Sequence, residues 1–421
     1  MSLTSFPIQI APVDWNLRLP EYELNITPSG VPLYSINSSI HDICYAELIF
    51  ENGRLTESKR LSSRLCSHQL LEGSLNFNQS EIVEFFDFHG CTYQVLSDLD
   101  FTTIAINSLH KHFEKALSTL IQLITNPIFP EDHLIKGKKS LLSQLHHQIT
   151  EPDFVSYREF TAHVYGKESI YGYNTTSELI HSITREDLID YHKNNYTSDK
   201  LKVFYCGKKL TDEFWNSQLS SFGKQVNVQV DYSIHSHEPI IQNFYIPNCT
   251  QTSLKMGMKL FKKSDEDYYP MYTINTILGD YFGSRLMSQI REKHGLTYDV
   301  HSTLDAQLHD GIFYISAELN PQQTEKTIML IKSEIVKLKE INIKSSELNM
   351  VRNYLNGHIL RLIDGPYQSI LLLKILVTEF KSINAFDLLV ESIKSIDQIK
   401  IKQIAQKYLD EEKMTIITAG A

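Results

Sequence analysis

Several histidines of this chain have side chains that could take part in a functional site. His68 falls within a predicted helix, residues 60–72, and His146 and His147 are neighbours in another. An imidazole can bind a metal ion, but adjacent residues on a helix point about 100° apart, so only one of those two could join His68. His110 and His112 could face one side of an extended segment. Core or solvated histidines are the ordinary alternative for all of them.

An arginine and a tyrosine form a second candidate. Arg291 is predicted to lie in the last turn of a helix that Gly295 ends, and Tyr298 to begin the next strand. A guanidinium and a phenol brought together in this way can bind a carbonyl oxygen and stabilise negative charge that develops on it. The alternative is structural: an arginine that complements the helix dipole, and a cross-strand tyrosine like Tyr93 in the corresponding strand.

These candidates lie in two halves of similar sequence. The segment His-Gly-Cys-Thr-Tyr-Gln-Val at 89–95 returns as His-Gly-Leu-Thr-Tyr-Asp-Val at 294–300. A Ser-Arg-Leu triplet stands upstream of each copy, at 63–65 and 284–286. Both halves then continue into a pair of predicted helices, a last helix and a short strand. Such self-similarity predicts a duplicated domain.

Each half contains segments with the periodicity of strands and segments with the periodicity of helices. Apolar residues that recur every second position predict half-buried strands, and longer runs with helical spacing predict the helices that cover them. We therefore predict an α+β fold in which each half is a mainly antiparallel sheet covered on one face by helices. The predicted strands are 23–35, 43–50, 92–97, 253–260 and 312–318, together with the closing strands of the two halves, 202–207 and 415–420.

The length of 421 residues suits two domains better than one. A polar stretch without periodicity, residues 217–239, is the predicted linker. It separates an N-terminal domain, residues 1–216, from a C-terminal domain, residues 240–421.

The composition, with 42% hydrophobic and 21% charged residues, is that of an ordinary globular protein, and no apolar run is long enough to span a bilayer. The net charge of −10 argues against a nucleic-acid partner, which would require a basic face. The five cysteines form no CxxC pair, which argues against a cysteine-bound metal. The first residues lack the basic and apolar segments of a secretory signal, so we expect a cytoplasmic protein.

Three phrases in the second half add to the duplication. They are Asn-Thr-Ile-Leu-Gly-Asp-Tyr-Phe-Gly-Ser-Arg-Leu at 275–286, Ile-Arg-Glu-Lys-His-Gly-Leu-Thr-Tyr at 290–298 and Gln-Thr-Ser-Leu-Lys-Met-Gly at 251–257. Together they resemble peptidase family M16, the group of pitrilysin and mitochondrial processing peptidase, over nearly the whole chain. The resemblance implies two M16-like domains and descent from a zinc peptidase.

Active members of that family carry His-x-x-Glu-His on a helix of the first half and a further glutamate later. Two histidines at i and i+4 can reach one Zn²⁺, and the glutamate between them acts as the general base. The resemblance places Arg64, Ser67 and His68 at these three positions, and the last ligand near Ser143 or Gln144.

This set lacks both the ligands and the base. Arginine does not deprotonate in a protein and repels a cation, and serine cannot take a proton from water near neutral pH as a carboxylate does. We therefore expect no metal and no cofactor on this chain. In contrast, Arg291 and Tyr298 match the pair that contacts the bound peptide near its scissile carbonyl in M16 enzymes, contributed by the half or subunit that faces the zinc.

The resemblance favours a non-catalytic, peptide-binding subunit of a two-subunit M16 peptidase. Its partner would be a zinc-bearing M16 chain with an intact His-x-x-Glu-His, its substrate an extended peptide, and the chain alone could form a homodimer. Two alternatives stay open. One is a structural scaffold without a role in proteolysis, and the other is a hydrolase that uses a rearranged metal site around His68 and His147.

Overall fold

The computed structural model describes residues 15–224, 232–233 and 237–421. The first half forms a six-stranded sheet with the strand order β1-β2-β6-β3-β5-β4, in which only β2 and β6 run parallel. The strands are β1 (Glu23–Ile26), β2 (Pro32–Asn37), β3 (Ile43–Phe50), β4 (Thr92–Ser97), β5 (Thr102–Leu109) and β6 (Leu201–Gly207). The helices are α1 (Ser62–Gln69), α2 (Gln79–Phe88), α3 (His110–Thr125), α4 (Glu131–Gln148), α5 (Pro152–Tyr165), α6 (Ser177–Ser182), α7 (Arg185–Asn195) and α8 (Asp212–Leu219).

The second half repeats this plan with a five-stranded sheet, β7-β11-β8-β10-β9, in which only β7 and β11 run parallel. The strands are β7 (Ile241–Tyr245), β8 (Thr252–Leu260), β9 (Val300–Ala306), β10 (Gly311–Leu319) and β11 (Thr415–Gly420). The helices are α9 (Tyr268–Leu278), a π-helical segment (Met287–Lys293), α10 (Thr324–Glu340), α11 (Ser345–Leu362), α12 (Gly365–Thr378), α13 (Ala385–Ser395) and α14 (Gln398–Tyr408).

The two sheets share one topology, which confirms the predicted duplication. In each half the last strand enters the sheet between an antiparallel neighbour and a parallel one: β6 lies between β3 and β2, and β11 lies between β8 and β7. The first sheet adds only β1 at its edge. The predicted α+β class with mainly antiparallel sheets is therefore correct.

Each sheet buries its main core under helices of its own half. In the first half, alternate residues such as Leu33, Leu48 and Val203 face that core. The residues between them, such as Ile49 and Phe204, point to the opposite face of the sheet. Because side chains alternate along a strand, a second covering layer is needed there.

The second layer comes from an exchange of helices between the halves. Helix α12 of the second half packs on β2 and β6, where Ile370 and Leu373 join Phe204 in one buried cluster. Helix α5 of the first half packs on β8 and β11, where Phe160 joins Ile417. Each half therefore covers part of the other half's core.

Three sequence predictions need correction. The predicted strand 23–35 is two strands, because the chain turns at Gly30, where φ is +85° and the amide donates to the Thr27 carbonyl. Strands β5 and β7 were not predicted, and the strand predicted to begin at Tyr298 is β9, which begins at Val300. His110 and His112 lie in the first turn of α3, not in an extended segment.

The predicted linker 217–239 is described only in part. Helix α8 extends into its first residues, and residues 225–231 and 234–236 lie outside the described part of the chain. Within the described part, the Tyr232 hydroxyl donates to the Asp310 carboxylate of the second half at 2.6 Å.

The exchanged helix gives a first prediction. Ile370 is fully buried, so Ile370→Val should lower the free energy of unfolding by about 1 kcal/mol, the usual effect of deleting one buried methyl group. Urea denaturation measures this change. Ile399→Val, at a residue of α14 that is 62% exposed, is the control and should have almost no effect. Equal effects at the two positions would contradict the packing described for α12.

Candidate functional site

Helix α1 carries the three positions of the degenerate metal motif. It packs against α4 and α7, and its buried side includes Leu65 and Cys66. Arg64 is half-buried, and His68 lies one helical turn later at the surface. The helix is the element that the sequence predicted, although it spans fewer residues than the predicted 60–72.

Ser67 stands at the position of the general base, and its hydroxyl is hydrogen-bonded to the backbone of its own helix. It is 2% exposed, and its hydroxyl lies 2.8 Å from the Ser63 carbonyl oxygen and 3.1 Å from that of Arg64, with its proton shared between the two. A hydroxyl held in this way points into the helix backbone. A serine hydroxyl is also too weak a base to take a proton from water as a carboxylate does.

Arg64 disfavours a cation at this place. Burial lowers the pKa of the Arg64 guanidinium, and the neighbouring Arg54 lowers it further, yet an arginine remains charged in a protein. The pKa of His68 is lowered by partial burial of its imidazole and then by Arg64. His68 is therefore neutral at pH 7 beside a fixed positive charge.

The position of the last ligand does not complete a site. Gln144 is exposed on α4, while Leu141, Leu145 and Gln148 of the same helix line the cavity next to Arg64. His146 and His147 are exposed on α4 and do not line that cavity. Over the described residues, no three His, Cys, Asp or Glu side chains are grouped to hold a metal ion.

The residues present therefore do not fit zinc. Of the four motif positions, only Arg64 lines the neighbouring cavity, and it carries a positive charge. The hypothesis of a rearranged hydrolase around His68 and His147 finds no ligand set in this part of the structure.

The cavity itself has a volume of about 250 Å³ and lies between the two halves. Its wall is built from α1, α4, α5, the segment 171–175 and the end of β9. The polar residues of that wall are Arg54, Arg64, Gln148, Tyr157, Arg158, Thr161, Tyr165, Tyr171, Tyr173, Asn174, Thr175, Asp305 and Gln307.

Arg291 and Tyr298 lie on a different part of the molecule. Arg291 is in the π-helical segment, which Gly295 ends with a φ of +61°. The Gly295 amide donates to the Arg291 carbonyl at 3.0 Å, so the predicted role of the glycine is confirmed. The Arg291 guanidinium carbon lies 5.3 Å from the centre of the Phe282 ring, which is itself exposed.

Tyr298 does not begin a strand, contrary to the prediction. Strand β9 begins at Val300, and the Thr297 hydroxyl closes a turn through the backbone of Asp299, with Tyr298 at the tip. The Tyr298 side chain is 87% exposed. Tyr93, by contrast, lies within β4 and packs on Phe86. The structural alternative, a cross-strand tyrosine, therefore fails for Tyr298.

Several residues of these two regions were not predicted. Phe282 adds an exposed aromatic ring beside Arg291. In the sequence, only its place between Tyr281 and Gly283 could have drawn attention to it. Arg54 and Tyr165 line the cavity, but they lie in separate segments, and no spacing in the sequence joins them.

Among the described residues, no helix is both long enough and apolar enough to cross a membrane.

The fold is a duplicated α+β unit, and the helix that would carry the metal motif has Arg64 and Ser67 in place of a ligand and the base. These features define the class of protein: a relative of metallopeptidases that has lost its metal ligands. Two family models match the chain, the insulinase-type Peptidase family M16 over residues 33–170 and the Peptidase M16 inactive domain over residues 182–355. The chain belongs to peptidase family M16.

Individual relatives agree with this assignment. An uncharacterized zinc protease YmxG from Bacillus subtilis is 23% identical over 305 residues, which cover 71% of this chain and 73% of that protein. A non-peptidase homolog YmxG from Helicobacter pylori is 21% identical over 341 residues, 79% of this chain and 78% of the homolog. The crystal structure of a peptidase M16 inactive domain from Pseudomonas fluorescens has a TM-score of 0.87 at 21% identity, covering 95% of this chain and 98% of that one. This chain is an inactive-type homologue of the M16 peptidases.

Proposed function

We propose that this chain is the non-catalytic, peptide-binding subunit of a two-subunit M16-type metalloendopeptidase. Arg291 and Tyr298 would reach the zinc site of a partner chain and bind the peptide carbonyl there. The observation that carries the proposal is the exposed Tyr298, held at the tip of a turn close in sequence to Arg291. A tyrosine that is 87% exposed contributes little to its own fold.

The exposed edges of the sheets support a peptide role. Among the described strands, β4 and β9 occupy equivalent edges of the two sheets. An extended peptide can add to such an edge through main-chain hydrogen bonds, which tolerate many sequences. The chemistry would come from the partner, whose zinc would activate water.

The test is an assay of mixed subunits. The chain alone should not cleave an unstructured peptide, whereas the chain with a homologue that carries an intact His-x-x-Glu-His should assemble and cleave it. If the two chains assemble but this chain leaves the peptidase rate of its partner unchanged, the scaffold hypothesis is the better account.

The metal content gives a second prediction. The purified chain should contain no stoichiometric zinc, because Arg64 and Ser67 replace a ligand and the base. The variant Arg64→His with Ser67→Glu should bind zinc only weakly, since it supplies two protein ligands where a catalytic site has three. Elemental analysis after dialysis measures both. One zinc per wild-type chain that is lost in His68→Ala would show that the assignment of the motif is wrong.

A further inference from the structure

The cavity between the halves carries an excess of positive charge. Arg54, Arg64 and Arg158 contribute three guanidinium groups to its wall, against the single carboxylate of Asp305. Glu159 lies beside the wall with Oε1 3.6 Å from the Arg158 Nε. Among the residues of the wall itself, three guanidinium groups and one carboxylate leave an excess of two positive charges.

Arg64 has no partner for its charge in the described chain. Arg54 donates from Nη1 to the carbonyl oxygens of Ile170, at 2.9 Å, and Tyr173, at 3.1 Å. Arg158 donates to the Thr175 carbonyl at 3.0 Å. Among the residues that the structure describes, the Arg64 guanidinium forms neither a hydrogen bond nor an ion pair. All five of its N–H groups are available to a ligand.

The second half contains an example of a guanidinium bound to a carboxylate. Arg285 forms a two-pronged ion pair with Glu347. It lies at the start of the helical segment before β9, which corresponds to α2, so it does not occupy the place of Arg64 in α1. Its Nε lies 2.7 Å from one carboxylate oxygen and its Nη2 3.1 Å from the other. A planar guanidinium matches a carboxylate in this geometry. No such carboxylate is paired with Arg64 within the described residues, so one from outside the chain would do for Arg64 what Glu347 does for Arg285.

A second group in the same wall lacks a partner. The Tyr165 side chain is 2% exposed, and its hydroxyl forms no hydrogen bond with the described residues. Burial raises the pKa of Tyr165 well above its usual value, so the hydroxyl keeps its proton and acts as a donor. An unpaired buried hydroxyl costs about 1 to 3 kcal/mol, which a bound acceptor would recover.

We infer that this cavity binds a carboxylate group of a peptide, with Arg64 as its charged partner and the Tyr165 hydroxyl as a neutral donor. The inference rests on the proposed function for the peptide and adds a chemical preference to it. A volume of about 250 Å³ is slightly below the usual range for ligand pockets, so it suits one amino-acid residue and not a longer segment. Both a peptide C-terminus and an acidic side chain supply a carboxylate of this size.

Calorimetry on the full chain, without any partner subunit, tests the inference with three capped peptides. These are acetyl-Ala-Ala-Ala with a free C-terminus, the same peptide as its amide, and acetyl-Ala-Glu-Ala-amide. We expect the free acid to bind at least about tenfold more tightly than its amide, as befits a hydrogen bond to a charged group. Tighter binding of the glutamate peptide than of the alanine amide would also support the site, and would assign the carboxylate to a side chain.

Variants link this preference to the cavity. Arg64→Gln should weaken binding of the acid peptide by about ten to a hundredfold, and Tyr165→Phe by about tenfold. Arg64→Lys keeps the positive charge but loses the paired N–H donors of the guanidinium, so it should bind the acid peptide with intermediate affinity. This variant tests the role of Arg64 if Arg64→Gln does not fold. Arg361→Gln, at an exposed arginine outside the cavity wall, is the matched control and should bind like the wild type.

Three results would overturn the inference: equal binding of all three peptides, no binding of any carboxylate peptide, or tighter binding of inorganic phosphate than of these peptides. Failure here can be told apart from failure of the proposed function. Binding is measured on the chain alone, whereas the roles of Arg291 and Tyr298 are measured as turnover of the mixed subunits.

Discussion

In a mixture with a zinc-bearing M16 subunit that assembles and cleaves peptide, Arg291→Ala should lower turnover by about tenfold to a thousandfold. Tyr298→Phe should lower it within the same range. These are the losses expected when one donor to a developing oxyanion is removed. The guanidinium and the phenol would donate to the peptide carbonyl as negative charge grows on its oxygen. The loss should therefore appear in kcat more than in assembly.

The fold should tolerate both changes. The Tyr298 side chain is 87% exposed, and the ring that Arg291 contacts, Phe282, is 64% exposed. A contact of this kind at the surface contributes roughly 0.5 to 1 kcal/mol. The measurement is kcat and KM on an unstructured fluorogenic peptide, with a binding assay of the two subunits in parallel.

Matched controls separate this effect from a general change of the surface. Tyr245→Phe removes a hydroxyl from a tyrosine of β7 that is 73% exposed, and Arg361→Ala removes an exposed arginine of α11. Both should leave turnover unchanged. If Arg291→Ala and Tyr298→Phe also leave it unchanged in a mixture that cleaves, the peptide-binding role is wrong and the scaffold remains.

The strands of this fold were predictable where side chains alternate cleanly. Strands β3 and β4 have the predicted bounds. Side chains of β4 alternate between a more exposed and a less exposed face, and β3 is apolar enough to be buried along nearly its whole length. Strand β5 escaped prediction because polar residues, Thr102 and Ser108, lie at its buried positions. In β5 the buried positions do not coincide with the apolar ones. A sequence shows which residues are polar and does not show which are buried.

The helix exchange could not be predicted from the pattern of residues. Helix α12 carries Ile-Leu-Leu-Leu-Lys-Ile-Leu-Val at 370–377, which predicts a buried helix and does not say which sheet it covers. The partner of α12 is the sheet of the other half, and its contacts join residues far apart in the chain. Periodicity reports only the face that a helix buries.

The site was predictable in the same partial way. The resemblance located Arg64, Ser67 and His68 on one helix, and the structure shows that only Arg64 lines the cavity. The unpaired state of Arg64 depends on which residues approach it from α4 and α5. Arg285, in the second Ser-Arg-Leu triplet, has a carboxylate partner, but it starts the helical segment before β9 and does not lie on the counterpart of α1. The repeated triplet therefore occupies different places in the two halves, and its sequence alone does not predict what the arginine contacts.

An ion pair buried between the halves should contribute strongly to stability. Glu47 of β3 is 5% exposed and accepts from the Tyr45 hydroxyl at 2.5 Å. Lys374 of α12 donates to Glu47 Oε1 at 3.2 Å and lies 3.1 Å from Oε2, which accepts no hydrogen bond from the described residues. Lys374→Met would leave a buried carboxylate with one neutral donor.

We expect Lys374→Met to lower the free energy of unfolding by about 3 kcal/mol, near the lower end for breaking a buried pair, because Tyr45 still donates to Glu47. Adding Glu47→Gln removes the uncompensated charge and should restore most of the loss, so the two changes are not additive. Lys381→Met is the matched control. Lys381 also joins the halves, through Glu51, but both side chains are more than a third exposed, and the change should cost less than about 1 kcal/mol. Urea denaturation of these three variants and of the single variant Glu47→Gln measures these values. Additive losses in the double variant, or equal losses at Lys374 and Lys381, would show that Glu47 does not depend on α12 for its charge partner.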